Sequence, residues 1–456
     1  MRISLRRVTR SGNRLHFNSM NILQFAAYSI TTRWFIVGIA TIMMALSASS
    51  YDYNSVSFYL FTTGMGVFFT VALFLVIKAI LYYKDLLHEL LDPQKLLYSF
   101  SLVGIVALTG ICASRLFGWH TVTYIFWYAA LVLWVSITLS SFTILFLYRK
   151  SEDRRIEDIL HGGWFFVVVG TQFTALLSID VAGQATGHTL LIQYFSFALW
   201  SVGTFLCLMF MTFMIFRLVF YPVTHDTELS SYWMNTGAAA VTAVVCAALH
   251  QQIHMTGGPL GELLSFLKGF SLFFWSIGLW WLPFLIILAI RKQVKSGWKL
   301  PFTVGYWEVV LAICLFAAGT TQLTGLFDEH FLITFALYIS IIGAVAYCSA
   351  SSFTLAHLIV IPAWKTIPLQ AVTIKWHPIR RGTIHILQIA ACSASIRWFA
   401  GVMVTITVPF VSSPQAYSQV SPCTGSSTGR LLLTGSNKTG SSPEQNTLSD
   451  YMRTNR

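Results

Sequence analysis

Polar side chains able to act on an ion stand at a few points inside long apolar runs. Between Pro301 and Leu323 (PFTVGYWEVVLAICLFAAGTTQL) the carboxylate Glu308 follows Trp307 near one end, Gly319 lies deep inside, and Thr320, Thr321 and Gln322 come next. Thr171 and Gln172 follow Gly170 in HGGWFFVVVGTQ, and Asn235 and Thr236 precede Gly237 in SYWMNTGAAAVTA. Hydroxyls and amides of this kind donate hydrogen bonds to a passing carboxylate or other anion. They also bond helix to helix, at about 0.6 kcal/mol each. Glu308 has two readings as well: a protonated carboxyl in an anion path couples a proton to transport, or a charged one sits at the water boundary paired with a cation such as Lys299. Arg115, which closes GIVALTGICASR, either draws anions to an outer mouth or snorkels to headgroups.

Other chemistries are poorly served. His250 and His254 are four residues apart, but a metal needs a further ligand, and TGGP (256–259) predicts a turn, so both are expected in a solvated outer loop. Cys112, Cys207, Cys246, Cys314 and Cys348 are scattered singly through apolar runs without CxxC spacing. There is no Gly-rich phosphate loop, no Ser/His/Asp order and no usefully spaced pair of carboxylates. The sequence therefore predicts no enzyme, no cofactor and no metal site.

The elements that must position these groups are membrane spans. With 55% hydrophobic and only 10% charged residues and a mean hydropathy of +0.67, the 456-residue chain is outside the soluble range. The net charge of +12 comes from short Lys/Arg clusters between apolar runs, which suits membrane orientation and not nucleic acid. About 20 residues cross a bilayer as helix, and ten runs qualify, near 34–49, 56–81, 97–116, 121–147, 163–182, 190–220, 232–250, 266–290, 303–325 and 331–361. The basic lead and the spans that follow argue against a cleaved signal peptide. With the N-terminus inside, inward segments hold Arg2, Arg6, Arg7, Arg10, Arg14, Arg33, Lys84, Lys95, Arg149, Lys150, Arg154, Arg155, Arg217, Arg291, Lys292, Lys295 and Lys299. Outward segments hold Arg115 among acids such as Asp52, Asp180, Glu262, Asp328 and Glu329. That asymmetry predicts a cell-membrane protein with both ends of the ten-helix core cytoplasmic.

The spans also alternate in kind. Even ones are bulky and apolar, whereas odd ones carry glycine, small residues and isolated polar groups, which permit close helix approach. The expected fold is all-α and polytopic: ten transmembrane helices as five hairpins around a central pore lined by the odd helices. The expected organisation is a basic cytoplasmic or interfacial segment (1–32), the transport domain (33–361), a basic and apolar juxtamembrane stretch (362–411) and a disordered Ser/Thr/Gly-rich tail (412–456).

Four stretches carry a family likeness: LLHELLDPQKLLYSFSLVG (86–104), HGGWFFVVVGTQ (161–172), SYWMNTGAAAVTA (231–243) and YWEVV (306–310), with WSIGLWWLPFLIILAI (275–290) also similar. In their order and spacing, residues 33–360 resemble the tellurite-resistance/dicarboxylate transporter family, which includes malate permeases and slow-type anion channels. The resemblance implies a bilayer-embedded homo-oligomer, a trimer, moving small anions, foremost C4-dicarboxylates such as malate. Tellurite or inorganic anion efflux, and a receptor or assembly subunit without transport, are the alternatives. Channel and proton-coupled carrier both remain open. The resemblance also implies a pore closed by a central Phe of the ninth helix, often followed by Pro. Aligning Trp307 on the family's Trp puts Leu311 and Ala312 there, which makes Leu311 the expected gate. Gly104, Gly170, Thr171, Gln172, Asn235, Thr236, Gly237, Trp307, Glu308 and Gly319 are the expected lining. Gly38, Gly104, Gly170, Gly237 and Gly319 are the expected positions of helix breaks.

Overall fold

The computed structural model describes residues 27–147, 160–185, 187–222, 228–296 and 303–365. The basic segment 1–26, Lys299, Pro301, the stretch 366–411 and the tail 412–456, each subject to an expectation above, lie outside them. Ten helices among the described residues are long and apolar enough to cross a membrane. We number them α1 (Phe35–Ser49), α2 (Asn54–Leu81), α3 (Phe100–Arg115), α4 (His120–Leu147), α5 (Phe165–Gln184), α6 (Thr189–Phe220), α7 (Met234–Thr256), α8 (Leu264–Ser296), α9 (Tyr306–Phe327) and α10 (His330–Lys365). The described residues contain no strand. This is the all-α polytopic fold that the hydropathy pattern predicts.

Consecutive helices pair as hairpins: α1 with α2, α3 with α4, α5 with α6, α7 with α8, α9 with α10. The odd helices also pack in sequence, α1 on α3, α3 on α5, α5 on α7, α7 on α9, and α9 back on α1, which closes a five-membered ring. Four of the even helices also lean on the next odd one, α4 on α5, α6 on α7, α8 on α9 and α10 on α1. Burial separates the two kinds. The most apolar window is 89–94% buried in α3, α5 and α7 but only 11–28% buried in α2, α4, α8 and α10, so the small-residue helices are the interior. Exposed Leu139, Phe146 and Val219 face outward on the even helices, where lipid tails are as apolar as they are. The WW pair divides: Trp280 is exposed, while Trp281 is buried against the bundle.

Small residues explain the tight ring. A Cβ on Gly38 would lie 3.5 Å from the Gly64 carbonyl, and one on Gly64 would lie 3.4 Å from the Gly38 carbonyl, so α1 and α2 touch through their backbones. The expected helix breaks do not occur. Each odd helix runs unbroken through its glycine, because glycine permits a kink without forcing one and its missing side chain is spent on close packing. At the end where the odd helices begin, Lys78 of α2 is fully buried, and its ammonium bonds Ile30 O at 2.8 Å and Glu89 Oε2 at 2.8 Å. This fixes the short helix Tyr83–Leu90 beneath the bundle.

Candidate functional site: the ring axis and its amino-terminal mouth

Helix phase, at about 100° per residue, sorts the side chains of α5. Thr171 and Ser178 accept bonds from the indoles of Trp134 and Trp127 on α4, each at 2.8 Å. Gln172 reaches Thr242 Oγ1 of α7 at 3.2 Å and the Trp200 carbonyl of α6 at 3.4 Å, and it fills the space over Gly203. Gly170 lies against the Phe100 carbonyl of α3, 3.1 Å from where a Cβ would sit. The arc left over carries Val169, Phe173, Leu176 and Asp180, and it faces the ring axis. Gly104 of α3 stands between Ile39 of α1 and the Phe173 ring of α5, 3.4 and 3.5 Å from a Cβ position, which also puts it on the axial side.

The same sorting applies to α9. Ala312, Leu315 and Gly319 meet α7 at Gly237 and Ala240. Phe316 and Thr320 meet Trp275 of α8, with the indole donating to Thr320 Oγ1 at 2.9 Å. Trp307 donates to Thr354 Oγ1 of α10 at 3.0 Å, and Cys314 approaches Met44 of α1. Leu311 falls between the α7-facing and α1-facing sides, toward the axis, and is fully buried.

Of the residues expected to line a path, the structure therefore brings Gly104 and Leu311 to the axial side. It places Thr171, Gln172, Gly170, Gly237, Trp307 and Gly319 in contacts between helices. Thr236 turns its backbone carbonyl to Gly278 of α8, while its Oγ1 is buried without a hydrogen-bond partner among the described residues. Asn235 lies seven residues before Thr242, hence on the face that meets α5 and α6. Thr171, Gln172 and Trp307 hydrogen-bond to neighbouring helices, and Gly170, Gly237 and Gly319 pack against odd helices, whereas Asn235 Oδ1 and Gln172 Oε1 are buried without a hydrogen-bond partner among the described residues. Phe173, directly after Gln172, was not singled out from the sequence. Its signal was the F of TQF, one step further round the helix.

At the far end of the ring, Arg115 of α3 is held by a partner. It makes a two-pronged ion pair with Asp180 of α5, Nε to Oδ2 at 2.9 Å and Nη2 to Oδ1 at 2.8 Å. His250 and His254 are not in a loop, because α7 continues to Thr256 and their rings stack 6.2 Å apart on it. Among the described residues, no three His, Cys, Asp or Glu side chains come together in a way that would hold a metal.

The amino-terminal mouth has the richest chemistry. Four odd helices open on a 3-10 turn, Thr32–Trp34, Leu97–Ser99, Gly162–Trp164 and Leu229–Trp233, and these turns cluster with the start of α9. Gly162 is essential to that cluster, since a Cβ there would lie 1.9 Å from the Ser231 carbonyl oxygen. His161 caps its own turn, with Nδ1 accepting from Gly163 N at 3.0 Å, and it stacks on Tyr98 at 5.9 Å. Burial, together with the Arg33 guanidinium, pushes the His161 pKa down to about 4, so the ring is neutral.

Arg33 is the hub of the mouth. Its Nε donates to Glu308 Oε1 at 2.7 Å, its Nη1 to Glu228 Oε2 at 2.8 Å, and its guanidinium lies 4.8 Å above the Tyr98 ring. Glu308 thus pairs with Arg33; Lys299, the partner the sequence suggested, lies outside the described residues. The Glu308 side chain is 0% exposed, Arg33 18% and Glu228 43%. Glu308 Oε2 and His161 Nε2 are buried without a hydrogen-bond partner among the described residues. The bond from Arg33 to Glu228 links the turns that open α1 and α7, two helices that are not neighbours in the ring, and it passes the start of α9, where a Cβ on Gly305 would lie 3.0 Å from both Arg33 Nη2 and Glu228 Oε1.

Residues 29–358 match the family model described as voltage-dependent anion channel. An uncharacterized transporter of Methanocaldococcus jannaschii is 26% identical over 321 residues, 67% of this chain and 88% of its own. A second uncharacterized transporter of that organism is 26% identical over 215 residues, 45% of this chain and 57% of its own. An uncharacterized membrane protein of Mycobacterium tuberculosis is 30% identical over 108 residues, 24% of this chain and 53% of its own.

Proposed function

The chain belongs to the voltage-dependent anion channel family, within the tellurite-resistance/dicarboxylate transporters, and we propose that it moves small anions, foremost C4-dicarboxylates such as malate, along the axis of its five odd helices. The observation that carries this reading is the closed ring of small-residue helices, with buried Leu311 and Phe173 between its ends and Arg33 and Arg115 at them. Leu311 of α9 forms the neck, and the Phe173 ring of α5 supplies the aromatic bulk that the family resemblance puts on the ninth helix. A constriction of this kind gates by excluding water. The Lys/Arg asymmetry supports an amino-terminal mouth on the cytoplasmic side. No covalent chemistry is involved; the protein positions charge and excludes water.

The experiment is anion flux in proteoliposomes, with malate and nitrate as probes, with and without an imposed proton gradient. Malate flux is the expected result. Flux that follows voltage alone identifies a channel, and flux that needs the gradient identifies a carrier. Nitrate flux without malate flux removes the dicarboxylate assignment. The absence of both removes the transport reading.

A further inference from the structure

We infer that Arg33 is an anion-binding residue at the amino-terminal mouth, and that Glu228 occupies the place on its guanidinium that a carboxylate of the permeating anion takes. The inference rests on the transport reading and extends it to a substrate subsite.

The two carboxylates on Arg33 are not equivalent. Glu308 accepts a hydrogen bond from Nε at 2.7 Å, its same oxygen lies 2.6 Å from Nη2 as an ion pair, and it is wholly enclosed at the start of α9, so it has nowhere to go. Glu228 is bound through Nη1 alone, precedes the turn that opens α7, and has a half-exposed side chain. When Glu228 swings into water it is fully solvated, while Nη1 is left with a free donor pointing into the mouth. An incoming carboxylate restores the same charge-assisted bond. Exchange of one carboxylate for another leaves the bond count unchanged, and an exposed partner gives up little by leaving. The rest of the site stays in place. Glu308 holds the far edge of the guanidinium, and the Tyr98 ring beneath it keeps the plane oriented. Guanidinium geometry matters here, because one group must serve a fixed carboxylate and an exchangeable one at once, which a lysine ammonium does poorly.

Position supports the same assignment. Arg33 lies among the clustered turns that open the odd helices, in contact with Tyr98, Glu228 and Glu308, so an anion entering at that end meets it. With Glu228 bound, its carboxylate occupies the Nη1 donor and shields the guanidinium from an incoming anion; with Glu228 displaced, that donor is offered to the anion.

The test is malate flux in proteoliposomes, with malate varied on the side of the amino-terminal mouth. If Glu228 competes with substrate, Glu228→Gln raises the binding-competent fraction of Arg33. The half-saturating malate concentration then falls about two- to sixfold. Asp85→Asn, which removes an exposed-side acid of the adjoining short helix, controls for general surface charge and leaves it unchanged. Arg33→Lys raises the half-saturating concentration. Should Arg33→Lys not fold, the double variant Arg33→Gln/Glu308→Gln removes both buried charges together, and it is expected to raise that concentration likewise. An unchanged value in Glu228→Gln, or a shift equal to that of Asp85→Asn, overturns the inference while leaving transport intact. A wild-type protein that carries neither malate nor nitrate overturns the transport reading, and the subsite with it.

Discussion

The pair Arg33–Glu308 is an ion pair with a fully buried carboxylate, and a double-mutant cycle measures its worth. In Arg33→Gln the carboxylate of Glu308, 0% exposed, loses its cation and has no route to water. Stranding a buried charge in this way costs about 3–5 kcal/mol. Glu308→Gln is milder, because Arg33 is 18% exposed and keeps its bond to Glu228 at 2.8 Å. About 1–3 kcal/mol is expected there, the cost of a weakened buried hydrogen bond. The double variant places two neutral amides face to face, and it is expected to be more stable than Arg33→Gln alone. The interaction energy is then about 2–4 kcal/mol. Unfolding in mixed micelles with rising dodecyl sulfate, followed by tryptophan fluorescence, supplies the three differences. If the two single variants cost the same and add to the double within about 0.5 kcal/mol, the pair is not coupled and the hub described here is wrong.

Three further outcomes follow from the packing. Gly162→Ala drives a methyl into the Ser231 carbonyl, 1.9 Å away, so its melting temperature should fall by an amount matching about 1–3 kcal/mol, and the Glu228 lead-in should shift with it. Gln172→Leu keeps the volume over Gly203 but loses the bond to Thr242; about 1 kcal/mol of stability should go while anion preference stays, and a changed preference would put Gln172 back on the path. His161, pushed from its usual 6.5 down to about 4, binds a proton in the unfolded chain but not in the folded one between those values. Stability should therefore fall as pH drops through that window, and His161→Gln should flatten the slope; equal slopes in the two proteins would contradict the burial of His161.

The ten spans, the odd-even alternation and the ring were legible because they depend on run length, residue size and Lys/Arg bias, all of which are local. The facing of individual side chains was not. In a soluble helix, water on one side marks the phase, but here lipid and bundle interior are equally apolar, so α5 offers no polarity gradient to orient Thr171, Gln172 and Phe173. Two of those three point to neighbouring helices, and the unmarked one faces the axis. The hub was hidden for another reason: Arg33 and Glu308 are 275 positions apart, and only ring closure between α1 and α9 brings them together. A signal did exist. Each is an isolated charge at the start of an odd, inward-opening span, and opposite charges so placed have few other partners in an apolar bundle.

The account turns on an apolar neck on the ring axis. Its most direct test is flux of malate and nitrate through reconstituted Leu311→Ala/Phe173→Ala, with folding verified by melting temperature. A several-fold rise over wild type for at least one anion is predicted, since both side chains narrow the same passage. Unchanged flux in a well-folded double variant would mean that anions do not pass between these helices.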